Sequence, residues 1–301
     1  MSTIAADARL SARAAAQAAT SVRRRRHLQS AGTVALSVVL VVWTIVPIYN
    51  MVMISLEPEG DVFTDHIWPR VWSGESFWGV LTQSHWYLEH FWRQFANSIY
   101  MGAWVTFLTL AIGTLTSFSI GRMRIRHGWL VSNVALLTYV IPASFLAIPF
   151  YRIMQNYGMA NNLWSVIAAL VAFATPYAFF VFQEYGRSIP LEVDESARID
   201  GASPPQIYLQ IYLPLMAPAL VAVGTYAMLL AWNEYLYQFL LLSSKSSMTV
   251  PVALAQFLSS DQSPWNYMMA TAIIYALPPV VIYYAFRRRM TAGLTMGGVK
   301  G

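Results

Sequence analysis

Apolar residues dominate six stretches of this 301-residue chain, and polar residues gather between them. Each stretch contains a run of at least 25 residues without Asp, Glu, Lys or Arg. A helix crosses the hydrocarbon core of a bilayer with about 20 apolar residues. Because the runs do not alternate with period two, we predict helices and not barrel strands. The pattern predicts an all-α polytopic membrane protein with six transmembrane helices, at about 32–55, 95–120, 129–150, 163–185, 214–241 and 266–287.

The composition supports a membrane protein. Only 11% of the residues are charged and 57% are hydrophobic, whereas soluble proteins carry about 25% charged residues. The absence of cysteine excludes disulfide scaffolds and cysteine-ligated metals. The net charge of +5 indicates basic residues collected on one side of a bilayer and not a nucleic-acid partner.

Basic residues predict the orientation of the chain. Six spans place both termini on one side, and 15 of the 19 Lys and Arg residues fall in the two tails and the two loops of that side. Cytoplasmic loops are enriched in Lys and Arg, so we predict that both termini are cytoplasmic. Residues 1–30 form a basic cytoplasmic tail, which we expect to be mobile, and 31–94 hold the first span and an external loop.

The external loop, at about 56–94, combines acidic residues with five tryptophans. Tryptophan is enriched where a membrane meets water. An interfacial aromatic belt with a solvated acidic surface and a docking surface for an external partner are both open interpretations.

Catalytic motifs are missing from the sequence. It contains no G-x-x-x-x-G-K-[ST], H-E-x-x-H or G-x-S-x-G, and its five histidines are isolated. We therefore predict a transport conduit without enzymatic activity, whose energy comes from another subunit.

A polar segment, ESARIDGASPPQIYLQIYLP, separates the fourth and fifth apolar stretches. Pro190 ends the preceding helix, and acidic residues at 194 and 195 favour the start of a short helix that Gly201 closes. The run Ser203–Gln206 fits a second helix start with a capping box. In that helix we predict one apolar stripe formed by Ile207, Ile211 and Leu215. The segment therefore predicts a helix–turn–helix pair on the cytoplasmic side.

The same segment fits a longer spacing, E-x-A-x3-G-x9-I-x-L-P, through Glu195, Ala197, Gly201 and the run Ile211–Pro214. It resembles the EAA loop of the membrane-spanning subunits of binding-protein-dependent ABC importers. Ser196 departs from the motif, since alanine is common at that position.

Other stretches of the chain also resemble this family. Asn97-Ser98 is similar to the usual start of the family's transport domain, which would cover 95–290 here with a coupling loop at 187–214. The run Trp232–Tyr235 and the tail Gly293–Gly301 resemble the carbohydrate branch, particularly the maltose-type second permease.

The resemblance implies the type I ABC importer permease fold in a bacterial inner membrane. It implies that the short helix docks into a separate ATPase dimer, which binds ATP and Mg so that this chain holds no cofactor. The implied ATPase-coupling residues are Glu195, Ser196, Ala197, Arg198, Asp200 and Gly201. The C-terminal tail, 291–301, would reach the ATPase through Gly297, Gly298 and Lys300. The other implied partners are a second permease chain and an external sugar-binding protein.

Polar and aromatic residues within the spans are candidates for a sugar pathway. Ionisable groups inside spans usually face a cavity or a partner, so Glu234 is either a sugar or gate contact or a structural carboxyl. The pathway set is Trp232, Asn233, Glu234, Tyr139 and Tyr177. Prolines at 142, 149 and 176 lie inside spans, and we expect Pro278-Pro279 to break the sixth.

The residues alone leave alternative functions open. An ABC permease for a non-sugar solute shares every feature above except the carbohydrate-branch motifs. An ion-coupled secondary transporter would show repeated halves with paired broken helices, and a channel would show a filter-like polar ring. Neither pattern stands out here.

Overall fold

The structure is a computed structural model that describes residues 2–59, 66–123, 125–259 and 263–295. Its regular elements in those ranges are all helical, which confirms the all-α prediction. The first six α-helices are α1 Ser2–Ser55, α2 Glu75–Thr82, α3 Phe91–Gly121, α4 Gly128–Leu137, α5 Ala143–Asn156 and α6 Leu163–Arg187. The remainder are α7 Glu192–Ile199, α8 Pro204–Gln206, α9 Leu213–Leu215, α10 Ala217–Asn233, α11 Leu236–Leu241, α12 Val250–Gln256 and α13 Trp265–Thr295.

Four described helices are long and apolar enough to cross a membrane. They are Gln29–Ser55 within α1, α3, α6 and Trp265–Phe286 within α13. The pair Pro204–Leu215 and Ala217–Asn233 passes the same test together, with a bend of 78° between its halves. The described residues therefore contain four to five candidate spans.

The third predicted span, 129–150, is not one helix. Helix α4 gives way to a 3₁₀ turn at Thr138–Val140, and α5 begins only at Ala143. Between them Ile141 is extended, with φ −91° and ψ 115°. A residue before proline is disfavoured in the α conformation, so Pro142 divides this span.

The fifth predicted span, 214–241, also has different bounds. The helix bends at Met216, where α9 meets α10, and it ends at Asn233. Glu234 is extended, with ψ 132°, and the short helix α11 follows. The prediction extended this helix to residue 241 because most residues after Asn233 are apolar. The backbone instead leaves the helix at a polar residue, Glu234.

Helix α1 begins at Ser2, so the basic tail is helical and continues into the first span; alanine, abundant there, is the best helix former. The expected break of the sixth span was wrong. Helix α13 passes through Pro278-Pro279 without ending. Neighbouring groups in a membrane protein can satisfy the carbonyls that a proline leaves without a donor.

Three buried clusters lie along α3 and α10. Phe91 of α3 belongs to the cluster beside α2 and α13, Met101 and Val105 to the central cluster with α6, and Phe118 to the cluster beneath α7. By contrast, no residue in the most apolar window of α1 is buried. The core of this chain thus forms around α3, α6 and α10.

Gly113 allows α3 and α6 to approach closely. A Cβ added at Gly113 would lie 3.1 Å from the Cβ of Ala178 and from two ring atoms of Phe182. We expect Gly113→Val to lower the free energy of unfolding by about 1–3 kcal/mol, because it overpacks this contact. Thermal unfolding of the detergent-solubilised protein measures the change.

Gly121→Val is the matched control, since nothing lies within 4 Å of a Cβ at Gly121. Equal losses in the two variants would show that the helix contact does not require a glycine.

Candidate functional site

Helix α7 is a short helix with charges that suit its dipole. Three acidic residues, at 192, 194 and 195, lie in its first turn, and Arg198 lies in its last. This placement stabilises a helix whose N-terminus carries partial positive charge. The sequence predicted this helix at 194–201, so the observed bounds, Glu192–Ile199, lie two residues earlier.

Gly201 ends α7 as the sequence predicted. Its φ is +86°, a conformation that glycine adopts without steric cost. The N–H of Gly201 donates to the carbonyl of Arg198 at 3.1 Å, and that of Ala202 donates to the carbonyl of Ala197 at 2.9 Å. These bonds satisfy carbonyls at the helix end.

Two faces of α7 differ sharply in burial. Asp194 and Ala197 are buried, and Ala197 packs into the cluster of Phe118, Phe182 and Tyr212. Glu195, Ser196 and Asp200 are exposed, and so is Ile199, at 87%. One side of α7 therefore holds the helix to the protein, and the other projects acidic and apolar groups outward.

A buried ion pair attaches α7 to the end of α3. Arg122 follows α3 directly, and its Nη1 lies 3.2 Å from Oδ2 of Asp194, with both side chains at most 4% exposed. The Nη2 of Arg122 donates to the carbonyls of Gly186 at 3.1 Å and of Ile189 at 3.0 Å. One guanidinium thus joins α3, the end of α6 and α7.

Arg122 has two further contacts. Its carbonyl accepts from Nη2 of Arg198 at 3.1 Å, and its guanidinium carbon lies 5.7 Å from the ring centroid of Tyr212. The hydroxyl of Tyr212 is 3.1 Å from that of Ser117 in α3. Charged groups of this kind are rarely buried unless they are paired and hydrogen-bonded. The guanidinium of Arg122 meets both conditions, while Oδ2 of Asp194 has the ion pair and no hydrogen bond among the described residues.

A π-helix, Ile207–Tyr212, follows α8. The predicted capping contact at the start of α8 is confirmed, since Oε1 of Gln206 accepts from the backbone N–H and the hydroxyl of Ser203, each at 2.8 Å. The ring of Pro214 clashes with a regular α-helical carbonyl four residues earlier, which accounts for the wider turn.

The predicted stripe of Ile207, Ile211 and Leu215 is therefore only partly correct. Residues five apart share a face of a π-helix, and Ile207 and Tyr212 are each 1% exposed. Leu215 is 43% exposed. The prediction assumed α-helical spacing.

The predicted pathway residues do not form one cluster. Trp232 is buried, with its ring stacked on that of Tyr275 at 4.5 Å. Tyr177 is 38% exposed and lies 4.4 Å from the ring of Tyr226. Tyr139 is in the 3₁₀ turn Thr138–Val140.

Glu234 caps helix α11. Its Oε1 accepts from the backbone N–H of Tyr237 at 2.7 Å, while Nδ2 of exposed Asn233 donates within its own helix, to the carbonyl of Leu229 at 2.8 Å. The side chain of Glu234 is half-buried. This geometry favours the structural interpretation of that carboxyl, although its remaining exposure leaves it accessible.

The predicted ATPase-contacting residues of the tail, Gly297, Gly298 and Lys300, lie outside the described residues. The sequence also did not reveal the partnership of Arg122 and Asp194. Arg122 counted only as one of several basic residues at a membrane edge, and Asp194 only as an acid at a helix start. A pairing across 72 residues has no local signal.

A family model for binding-protein-dependent transport system inner membrane components matches residues 111–295. The match covers more than half of the chain and includes α6, α7 and α10. The chain belongs to this family, the membrane-spanning permease subunits of ABC importers, and is a multi-pass inner-membrane transport component, not an enzyme.

Proteins similar in sequence to this chain include several transport-system permeases. The trehalose transport system permease protein SugB of Mycobacterium tuberculosis is 29% identical over 268 residues, which cover 88% of this chain and 96% of that protein. The diacetylchitobiose uptake system permease protein DasC of Streptomyces coelicolor is 28% identical over 269 residues, 88% of this chain and 95% of that one.

Solved structures support the fold. A chain of a bacterial ABC transporter involved in the import of the acidic polysaccharide alginate matches with a TM-score of 0.75 and 20% identity, over 87% of this chain and 96% of that chain. This likeness indicates the type I importer permease fold.

The buried ion pair makes a strong prediction for stability. Arg122→Gln would leave the carboxylate of Asp194 buried without its charged partner, so we expect a loss of about 3–5 kcal/mol in the free energy of unfolding. Thermal unfolding in detergent measures it. The double variant with Arg122→Met and Asp194→Leu removes both charges and is expected to recover part of the loss, because the carbonyls of Gly186 and Ile189 still lose their donor.

Arg187→Gln is the control. Arg187 pairs with Glu184, but the two side chains are 66% and 48% exposed, and exposed pairs contribute at most about 1 kcal/mol. If Arg122→Gln cost no more than Arg187→Gln, the buried pair would not hold α7.

Proposed function

We propose that the chain forms half of the translocation pathway of an ATP-driven importer for a sugar or oligosaccharide. The printed names of SugB and DasC refer to trehalose and diacetylchitobiose, and that of a third relative, AraQ of Halalkalibacterium halodurans, to arabinooligosaccharides. Three different carbohydrates support a carbohydrate substrate for this chain without identifying which one.

The proposed topology has six crossings with both termini in the cytoplasm. The divided pair α4–α5 supplies the third crossing, and the bent pair ending in α10 supplies the fifth. The distribution of Lys and Arg supports this orientation. It places α7 in the cytoplasm and the external loop outside.

The proposed partners are an ATPase dimer, a second and different permease chain, and an external sugar-binding protein. ATP and Mg are held by the ATPase subunits. The observation that carries the proposal is the two-faced α7: a buried attachment through Asp194 and Ala197, and an outward face with Ile199 at 87% exposure. We propose that this outward face is the surface that meets the ATPase.

Roles for individual residues follow from this arrangement. Glu195 and Ser196 contact the ATPase, Arg198 and Asp200 flank that contact, and Gly201 sets the turn. Ala197 lets α7 lie close to its own protein. The tail, with Gly297, Gly298 and Lys300, extends between the ATPase subunits. Asn233, Glu234 and Tyr177 have the exposure needed to contact a solute. Tyr139 and Trp232 belong to the proposed pathway on the sequence pattern alone.

Reconstitution in proteoliposomes tests the function. The chain is combined with its partner permease, the ATPase subunit and the external binding protein, and uptake of the solute bound to that protein is followed. We expect uptake only with ATP and the binding protein, without any ion gradient.

Uptake driven by a sodium or proton gradient without ATP would contradict the proposal and favour a secondary transporter. ATP-driven uptake of a non-sugar solute alone would reject the substrate class and retain the importer.

Substitutions in α7 test the coupling role. We expect Gly201→Asp, and separately Glu195→Lys, to lower uptake at least about tenfold while ATP hydrolysis continues. The first strains a backbone whose φ is +86°, at about 1–2 kcal/mol, and the second reverses the proposed contact charge.

Gly158→Asp controls for strain, because Gly158 also has a positive φ, +67°, with nothing within 4 Å of an added Cβ. Glu184→Lys, at an exposed acid near the end of α6 and outside α7, controls for charge. Near-normal uptake by both α7 variants in fully assembled complexes would reject the role.

A further inference from the structure

The end of α3 distant from α7 holds a second set of buried polar contacts. Asn97 is 6% exposed, and its Nδ2 donates to the carbonyls of Ser246 and Met248, each at 2.9 Å. Ser98 accepts from the N–H of Val250 at 3.2 Å, and Nε2 of Gln94 donates to the carbonyl of Lys245 at 3.1 Å. These three side chains fix residues 242–250, here the outer segment, to the first turns of α3.

A second element holds the outer segment from the other side. Oδ1 of Asn161, in the turn between α5 and α6, accepts from the N–H groups of Ser243 and Ser244 at 3.0 and 3.1 Å. The N–H of Asn161 donates to the carbonyl of Leu241 at 2.8 Å. The outer segment has little regular structure, so its position depends on these bonds.

Helix α3 is the stiffest connection between the two ends of the protein. Of the described helices longer than 20 residues, α1, α6 and α13 each contain an internal proline, and α3 does not. The path through α10 bends by 78° at one end and stops at Glu234 at the other. Proline and such breaks are where helices kink, so α3 transmits displacement with the least internal bending.

Each end of α3 therefore carries a buried polar contact to a less regular element. Asn97 binds the outer segment, and Arg122 binds α7 and the end of α6. Twenty-five residues separate the two, or about 38 Å at 1.5 Å per residue. An element fixed at both ends can pass a movement at one end to the other.

We propose that α3 couples the outer segment to α7, with Asn97 and Arg122 as the positioning residues at its two ends. This inference rests on the proposed function for the role of α7. It adds a specific path: a contact that shifts the outer segment changes how α7 is held, through α3 and not through the broken spans.

Amide hydrogen exchange on the full-length chain in nanodiscs tests the path without any partner. Asn97→Asp keeps the size of the side chain and removes both N–H donors. We expect exchange to accelerate at least about fivefold in the outer segment and also in residues 190–202, in line with typical coupling between sites. A purely local role would accelerate exchange in the outer segment alone, and that result would overturn the proposal.

Reciprocity gives a second test, because coupling between two sites must act equally in both directions. Arg122→Lys keeps the charge beside Asp194 and loses the planar, forked set of donors. We expect it to accelerate exchange in the outer segment as well as in residues 190–202. Unchanged exchange in the outer segment would contradict the path even if Asn97→Asp failed to fold.

ATP hydrolysis by the assembled complex supplies a functional measurement. We expect Asn97→Asp to reduce the stimulation by solute-loaded external binding protein at least about fivefold, with hydrolysis in its absence within about twofold of the unmodified complex. Asn156→Asp is the matched control. Asn156 is exposed at the end of α5, and its substitution adds the same charge at the same end of the protein as Asn97→Asp.

A failure of the proposed function and a failure of the path through α3 give different results. An unmodified complex that shows no ATP-driven uptake would reject the proposed function and leave the exchange experiments to decide the path. Normal stimulation of the Asn97→Asp complex, beside a working unmodified complex, would reject the path alone.

Discussion

The burial of Arg122 against Asp194 constrains the whole end of this protein that carries α7. Two opposite charges removed from water are unfavourable unless the remaining donors and acceptors are also satisfied. Here the carbonyls of Gly186 and Ile189 satisfy the guanidinium, whereas Oδ2 of Asp194 has no hydrogen bond among the described residues and depends on the charge of Arg122. The ends of α3 and α6 and the start of α7 must therefore keep one arrangement. A short helix that would be unstable alone thereby becomes a fixed projection.

The rest of the protein combines broken spans with one continuous helix, α3, and the two kinds of element suit different roles. Breaks occur at Pro142, at the bend beside Met216 and at Glu234, where backbone groups leave the helical ladder. Such irregular backbone occurs within membrane proteins where it faces a cavity or packed protein. Helix α3 is continuous between these regions and contributes to all three buried clusters. The broken spans can shape a pathway while α3 keeps the two ends in register.

Much of this could be predicted from the sequence, because hydrophobic run length, glycine at a helix end and the EAA spacing are local signals. Gly201, the capping contact of Ser203 and the short helix α7 were placed to within two residues. The divided third span and the π-helix were missed, since both depend on how prolines are accommodated by neighbours. The Arg122–Asp194 pair and the contacts of Asn97 join residues distant in the chain, and no local pattern in a single sequence indicates such pairings.

Photocrosslinking from α7 tests the central claim, that this helix is held outward to meet a nucleotide-hydrolysing subunit. The chain has no cysteine, so Ile199→Cys and Gly158→Cys can each carry one photoactivatable label in the assembled complex. The account predicts a crosslink to the ATPase subunit from position 199 and none from position 158. Absence of that crosslink in a complex that hydrolyses ATP, or a crosslink from position 158 instead, would contradict it.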